Sequence, residues 1–335
     1  MSAMQSEPLT EIAIKIIDNR GKAALNEVSQ QILQYRYDDG IISEALQYYA
    51  KEIFPRVLPI FPTLIYLSCK AVGGEPEKTK SLATAMLLIT ASGDIHDDII
   101  DKSPTKFHRK TVFGKYGRDI ALLAGDALLT QGMTLLQNSC EYLPLDQRKA
   151  IADLITKSMF ELVEAEAMET MLWKKAIVTP QEYFQVIKHK GSVAELHCRI
   201  GGIVGCANEK DLDEITNYGR VIGILATVKD EFMDMFNFSE LKHRIKYEMV
   251  PYPMLHAFQN NKIKEQIMAT IEKNDFSKKD LPFIVETTFN SFEVKNLKSE
   301  FKEIGKKELA SNFLLKDNEK GKEAALLLQA LAFEL

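Results

Sequence analysis

The stretch Gly93-Asp94-Ile95-His96-Asp97-Asp98-Ile99-Ile100-Asp101 follows directly on the apolar run Ala85-Met86-Leu87-Leu88-Ile89. At about 3.6 residues per turn and about 1.5 Å rise, Asp94, Asp97, Asp98 and Asp101 fall on one helix face roughly 10 Å long. Four like charges this close repel unless solvent, a protonation shift or divalent cations relieve them. Carboxylate oxygens are hard donors suited to Mg2+, a cation often held between carboxylates and substrate phosphates. A diphosphate site fits such a face; a plain solvated helix surface is the competing reading.

A second run decides between them. Lys229-Asp230-Glu231-Phe232-Met233-Asp234 repeats the acid-acid-x-x-acid spacing, again behind an apolar helical segment, Val221-Ile222-Gly223-Ile224-Leu225-Ala226. Helical bundles build metal sites from side chains on facing helices, and two matching acidic faces suit one set of cations.

These runs resemble the two aspartate-rich motifs of the trans-isoprenyl diphosphate synthases, the polyprenyl synthetase family. Asp97-Asp98-Ile99-Ile100-Asp101 resembles the first, with Ile95-His96 before it, and Asp230-Glu231-Phe232-Met233-Asp234 the second, with Glu for its usual second Asp. Leu123-Ala124-Gly125-Asp126-Ala127-Leu128-Leu129 and Ala165-Glu166-Ala167-Met168-Glu169 resemble intervening segments of that family, and Lys190 stands where a diphosphate-binding lysine is expected. The likeness runs in register from about residue 50 to 260.

The resemblance implies an all-α, isoprenoid-synthase-type bundle of ten or more helices around a central cavity. It implies ionisation of an allylic prenyl diphosphate by Mg2+, three ions per site, acting as Lewis acids on the departing diphosphate. Asp97, Asp98, Asp101, Asp230, Glu231 and Asp234 are then the metal donors. Asp94, an extra acid where the family has an apolar residue, either extends that set or stands behind it. Lys190, Lys106, Arg109 and Lys229 are candidate substrate contacts; Gly191 replaces a threonine that would add a hydroxyl. His96 lies on another helix face and is expected to pack. Ser92 and Gly93, five and four residues before Asp97, are small where aromatic side chains close the hydrophobic channel in short-chain synthases. That implies a product of about C20 or longer; close helix packing is the other use of small residues there.

The bulk composition is compatible with this. The 335 residues contain no Ser/Gly-rich or Pro-rich linker, and helical spacing dominates over weak strand signals. A capping box with proline at the first helical position starts a helix at Thr179-Pro180-Gln181-Glu182. One domain over 1–335 is expected: N-terminal helices in 1–50, a catalytic core in 51–260, C-terminal helices in 261–335. A net charge of −5 gives no basic footprint for nucleic acid. Lysines between Lys295 and Lys307 alternate with acids and read as a solvated face. Cys69, Cys140, Cys198 and Cys206 lack metal-ligand spacing and read as free thiols of a reducing cytoplasm. Glu11 and Lys15 leave no signal-peptide core, and no apolar run reaches the ~18–20 residues of a membrane span. A cytoplasmic homodimer is expected, with apolar residues between Leu122 and Leu129 at its interface.

The acceptor side departs from the family. Its basic Gly-Gly-Lys-Arg-x-Arg-Pro motif falls on Arg56-Val57-Leu58-Pro59-Ile60-Phe61-Pro62, a usual histidine is Thr90, and an Arg-Arg-Gly reads Lys106-Phe107-His108. The late Gly-Lys-x-Thr segment falls near Glu248-Met249-Val250-Pro251, and Ala226-Thr227 replaces a Phe-Gln pair. Each lost cation removes a charge-assisted contact of ~1.5–3 kcal/mol to a second diphosphate. Candidate replacements are Arg56, Arg109, Lys110, Lys242, Arg244 and Lys246. Three outcomes follow: prenyl transfer to isopentenyl diphosphate through a rebuilt site or to another acceptor; a terpene synthase that cyclises or quenches the cation; or a weakly active partner subunit. A wholly different class, an interaction protein with solvated acidic faces, predicts no response to Mg2+.

Overall fold

The computed structural model describes residues 8–34, 40–273, 276–315 and 319–334. It is all-α apart from one small hairpin, in agreement with the helical spacing of the sequence. The helices are α1 (Leu9–Gln34), α2 (Ile41–Tyr48), α3 (Ile60–Ala71), α4 (Lys80–Ile100), α5 (Val112–Tyr116), α6 (Arg118–Ser139), α7 (Leu145–Trp173) and α8 (Pro180–Lys190). Then follow α9 (Ser192–Val204), α10 (Glu209–Asp234), α11 (Phe238–Tyr247), α12 (Tyr252–Ala257), α13 (Asn261–Ile271), α14 (Leu281–Asn290), α15 (Phe292–Ser311) and α16 (Lys322–Phe333). The chain divides into two compact units: 1–155 with 196–216 and 314–327, and 156–195 with 217–313 and 328–335.

In the first unit α4 is the central element. Its buried residues include Leu82, Ala85, Met86, Leu88, Ile89, Ser92 and Ile95, a wide apolar face that continues to the edge of the acidic run. Against it lies α6, whose buried positions are mostly small: Ala121, Ala124, Gly125, Leu128, Gly132. A Cβ on Gly125 would stand 2.3 Å from His96 Nε2, so the glycine is what lets the two helices approach there. His96 thereby packs on α6, as expected, with Nε2 3.3 Å from Asp126 Oδ1.

Two local features deliver side chains to the acidic end of α4. Pro55 has no N–H to continue a helical ladder, and Tyr49–Ile53 ahead of it widen into a π-helical turn. That turn buries Tyr49. At the other end, α4 stops just past its last acid. Lys102 takes a left-handed φ of 56°, and Ser103 N–H and Lys102 N–H bond back to the Asp98 and Ile99 carbonyls, the pattern of a Schellman cap. The chain then forms a hairpin of β1 (Thr105–Lys106) and β2 (Arg109–Lys110). Phe107 and His108 at its tip both have positive φ, 52° and 59°, as a two-residue type I′ turn requires. The strands are a departure from the expected all-helical chain, set by turn chemistry that has no Gly or Asn to announce it.

The second unit has its own apolar centre of Met235, Leu241, Met254, Ile267 and Ile284, with Phe258, Phe276 and Phe289 packed against it. The capping box read at Thr179 is present, with Thr179 and Glu182 exchanging hydrogen bonds at the start of α8. Close approach at Gly191, after Lys190, rests on Gly223 of α10, where a Cβ would stand 2.6 Å from the Gly191 carbonyl oxygen; a Cβ on Gly191 itself would meet Ile224 Cγ1 at 3.1 Å.

The expectation that no apolar segment is long enough for a membrane span meets one exception by length and composition alone, a test that core helices of soluble proteins also pass. Among the described residues α6 is long and apolar enough by length and composition, and the bent segment from Ile41 to Ala71 joins it if counted as one span. A third of its apolar window is buried inside the protein.

Candidate active site

In both acidic runs the second acid turns inward and is anchored, while the first and last stay nearer the surface. Asp98 is only 4% exposed. Lys106, brought back by the hairpin, bonds to Asp94 Oδ1 and lies 3.8 Å from Asp98 Oδ1. The Tyr49 hydroxyl donates to the other Asp94 oxygen at 3.1 Å. Burial, opposed by Lys106 and reinforced by Asp94 and Asp97, pushes the Asp98 carboxyl up to about 8. Burial works against the Lys106 charge too, but Asp94 and Asp98 outweigh it and hold the ammonium above its ordinary range. Asp97 is half-buried, and Asp101 forms the C-cap, its N–H bonded to the Asp97 carbonyl.

The second run is anchored more firmly. Glu231 Oε1 accepts from Arg244 Nη2 at 2.9 Å, and Oε2 accepts from the Tyr252 N–H at 2.7 Å. The Tyr183 hydroxyl lies 2.9 Å from Glu231 Oε1 and 2.8 Å from Glu169 Oε1, its single proton serving one at a time. Arg244, itself 4% exposed, also reaches Asp234 Oδ2 at 2.6 Å and donates through Nε to the Met249 carbonyl. Both Glu231 oxygens are thus engaged by protein donors. The longer glutamate spans to α12, while Asp234 shares Arg244 with it.

Asp230 is open to solvent. Even so, the protein around it, with Asp234 and Glu231 close by, pushes its carboxyl up to about 7. Burial likewise raises Asp234, with Arg244 opposing.

The basic candidates are each engaged by groups of the protein. Lys190, the last residue of α8, sits 3.1 Å from Glu166 and 2.6 Å from Glu169 on α7. Burial works against the Glu169 charge, but Lys190 and Arg244 hold its carboxyl below the usual range. Lys229 donates to the carbonyls of Glu334 and Ala330 at 3.2 and 3.4 Å. It thus caps the end of α16, where helix carbonyls lack intrahelical partners, and burial lowers its pKa. Lys106 is turned onto Asp94, and half-exposed Arg109 lies 3.6 Å from Glu52. Ser92 is buried, whereas a Cβ on Gly93 would meet nothing within 4 Å among the described residues. Open space, not helix packing, accounts for that glycine. On the acceptor side Phe61 stacks on buried His197 of α9, ring centroids 4.6 Å apart.

The acids fit divalent cations in a particular way. No three His, Cys, Asp or Glu side chains among the described residues are arranged to hold a metal by themselves. Mg2+ commonly completes its shell with water and substrate phosphate, so the lack of a complete protein cage among these residues is compatible with it.

An all-helical chain with two such acidic runs defines the isoprenoid-synthase class of fold. The polyprenyl synthetase family model matches residues 41–288. The chain belongs to the polyprenyl synthetase family.

Its similarity to a geranylgeranyl diphosphate synthase of Methanosarcina mazei is 28% identity over 262 residues, covering 74% of this chain and 78% of that protein. A short chain isoprenyl diphosphate synthase of Methanothermobacter thermautotrophicus is 27% identical over 183 residues, 54% of this chain. The match spans about half, 55%, of that relative's length. Among solved structures, geranylgeranyl pyrophosphate synthetase from Pyrococcus horikoshii has a TM-score of 0.81 at 24% identity, covering 97% of this chain and 98% of that one. The geranylgeranyl pyrophosphate synthase of Corynebacterium glutamicum, complexed with isoprenyl diphosphate and magnesium, scores 0.81 at 17% identity, covering 95% and 99%. At these identities the structural likeness is one of fold.

Proposed function

We propose that this chain is a Mg2+-dependent prenyltransferase that ionises an allylic prenyl diphosphate, acting as one catalytic domain. The observation that carries this is the pair of acidic runs, each with one buried acid, Asp98 or Glu231, beside acids nearer the surface: Asp97 and Asp101 in one, Asp230 and Asp234 in the other. Those four are the residues we assign to Mg2+, three ions per site by the family resemblance. Bound there, the metal supplies Lewis acidity toward the leaving diphosphate. The protein's own part is to hold the acids in place beforehand, since preorganised charge needs no rearrangement as the C–O bond breaks. Lys190, at the end of a well-capped helix, is the lysine best placed by resemblance to meet the diphosphate on release from Glu166 and Glu169.

The open space at Gly93 favours a product of about C20 or longer, because the chain grows past the helix turn below Asp97. Exposed Leu122, Leu123 and Met133 on α6 favour a homodimer, and the reading remains that of a cytoplasmic enzyme. A terpene synthase on the same scaffold is the second reading. It is favoured by the Lys106 and Phe61 contacts: the two positions offer an acceptor diphosphate an engaged ammonium and a stacked ring.

Product analysis separates these. The protein is given Mg2+ and C10, C15 or C20 allylic diphosphates, each with and without isopentenyl diphosphate. Longer prenyl diphosphates formed only with isopentenyl diphosphate support the first reading. Hydrocarbons or alcohols released without it replace that reading by the second. No product in either arm would defeat both, leaving a partner subunit.

A further inference from the structure

Asp94 is the one acid of the first run whose role the spacing of the motif leaves open. Its two oxygens are taken by side chains from opposite directions in sequence. Tyr49, fixed by the π-helical turn, donates to Oδ2; Lys106, fixed by the Schellman cap and the type I′ turn, bonds to Oδ1. The Lys106 contact to Asp94 is the close one, and Asp98 lies at the longer 3.8 Å. Asp98 is 4% exposed, so its polar atoms depend on partners within the protein, and Lys106 is the cation that reaches it. In the other unit a buried cation also stands beside the buried acid, but there Arg244 bonds Glu231 directly at 2.9 Å and Tyr183 bonds Glu231 itself.

We infer that Asp94 is a positioning residue that holds the Lys106 ammonium beside Asp98 as a tethered cation, leaving divalent metal to the outer acids of the run. The inference rests on the proposed metal role of Asp97 and Asp101. A tethered cation is present at every metal concentration, so the acidic end of α4 stays assembled before any Mg2+ arrives. An untethered design would need metal to keep Asp98 in place. An ordinary structural ion pair would give the same contacts but a different response to metal.

Thermal melting of the full chain, without substrate, in EDTA and in millimolar Mg2+ tells them apart. For Lys106→Met, the melting temperature should fall in EDTA and recover in part with Mg2+. Its Mg2+-induced shift should exceed the wild-type shift by at least about 2 °C. Asp94→Asn, a milder change should Lys106→Met not fold, should enlarge the shift in the same direction. The double variant Asp98→Asn/Lys106→Met, lacking both charges, should return it to the wild-type size. An equal loss of melting temperature with and without Mg2+ in the single variants would reduce Lys106 to a structural ion pair and overturn the inference. So would an enlarged shift that persists in the double variant. Melting without substrate does not depend on turnover, so loss of the proposed activity would leave this result standing.

Discussion

At the scale of single residues, position within the acidic run separates the buried acid from those nearer the surface. Glu231 joins Arg244, Tyr183 and the Tyr252 backbone in a nearly solvent-free network. Truncation of one member of a buried pair leaves the other charge uncompensated, commonly at a cost of several kcal/mol. Glu231→Ala should therefore lower stability by about 3 kcal/mol in denaturant unfolding. Asp230→Asn, at an open position, should change stability by less than about 0.5 kcal/mol while removing Mg2+-dependent turnover. Spacing placed both acids on the helix but did not distinguish them, because the anchoring partners Arg244, Tyr183 and Lys106 come from other segments with no periodic signal. Gly93 gives a second residue-scale expectation. Gly93→Phe fills open space, so products should become shorter by gas chromatography of the hydrolysed alcohols, with little change in melting temperature.

At the scale of elements, the helices followed from apolar spacing and caps, and the local breaks did not. Thr179-Pro180-Gln181-Glu182 was legible because a capping box is written in four consecutive residues. The π-helical turn at Tyr49 and the hairpin at Phe107-His108 were not, since both depend on backbone conformations that those residue types seldom announce. The short helix α12 carries a pH effect of its own. Burial lowers His256 to about 4, with Glu293 opposing, so the fold holds the neutral ring whereas the unfolded chain protonates it near 6.5. Protons then bind the unfolded state preferentially between those values. The stability His256 contributes is present above about pH 6.5 and is lost as pH falls toward 4. His256→Asn should flatten that part of the urea-unfolding profile; an unchanged slope would show that the ring is not the group responsible.

At the scale of the whole molecule, the all-α class and the family were legible because two acidic motifs and the segments between them keep one register over most of the chain. The acceptor remained open in the sequence, since lost cations say what is missing and not what replaces them. The structure adds that Lys106 and Phe61 have contacts of their own in that region. The central claim is that the outer acids, with Mg2+, break the bond to an allylic diphosphate. Its most direct test is inorganic diphosphate release from farnesyl and geranylgeranyl diphosphate as Mg2+ is titrated, for the wild type, Asp97→Asn and Asp230→Asn. The account expects release that requires Mg2+ and falls at least about 100-fold in either variant, the order of loss seen when a preorganised electrostatic group is removed. Release indifferent to Mg2+, or undiminished in both variants, would contradict it.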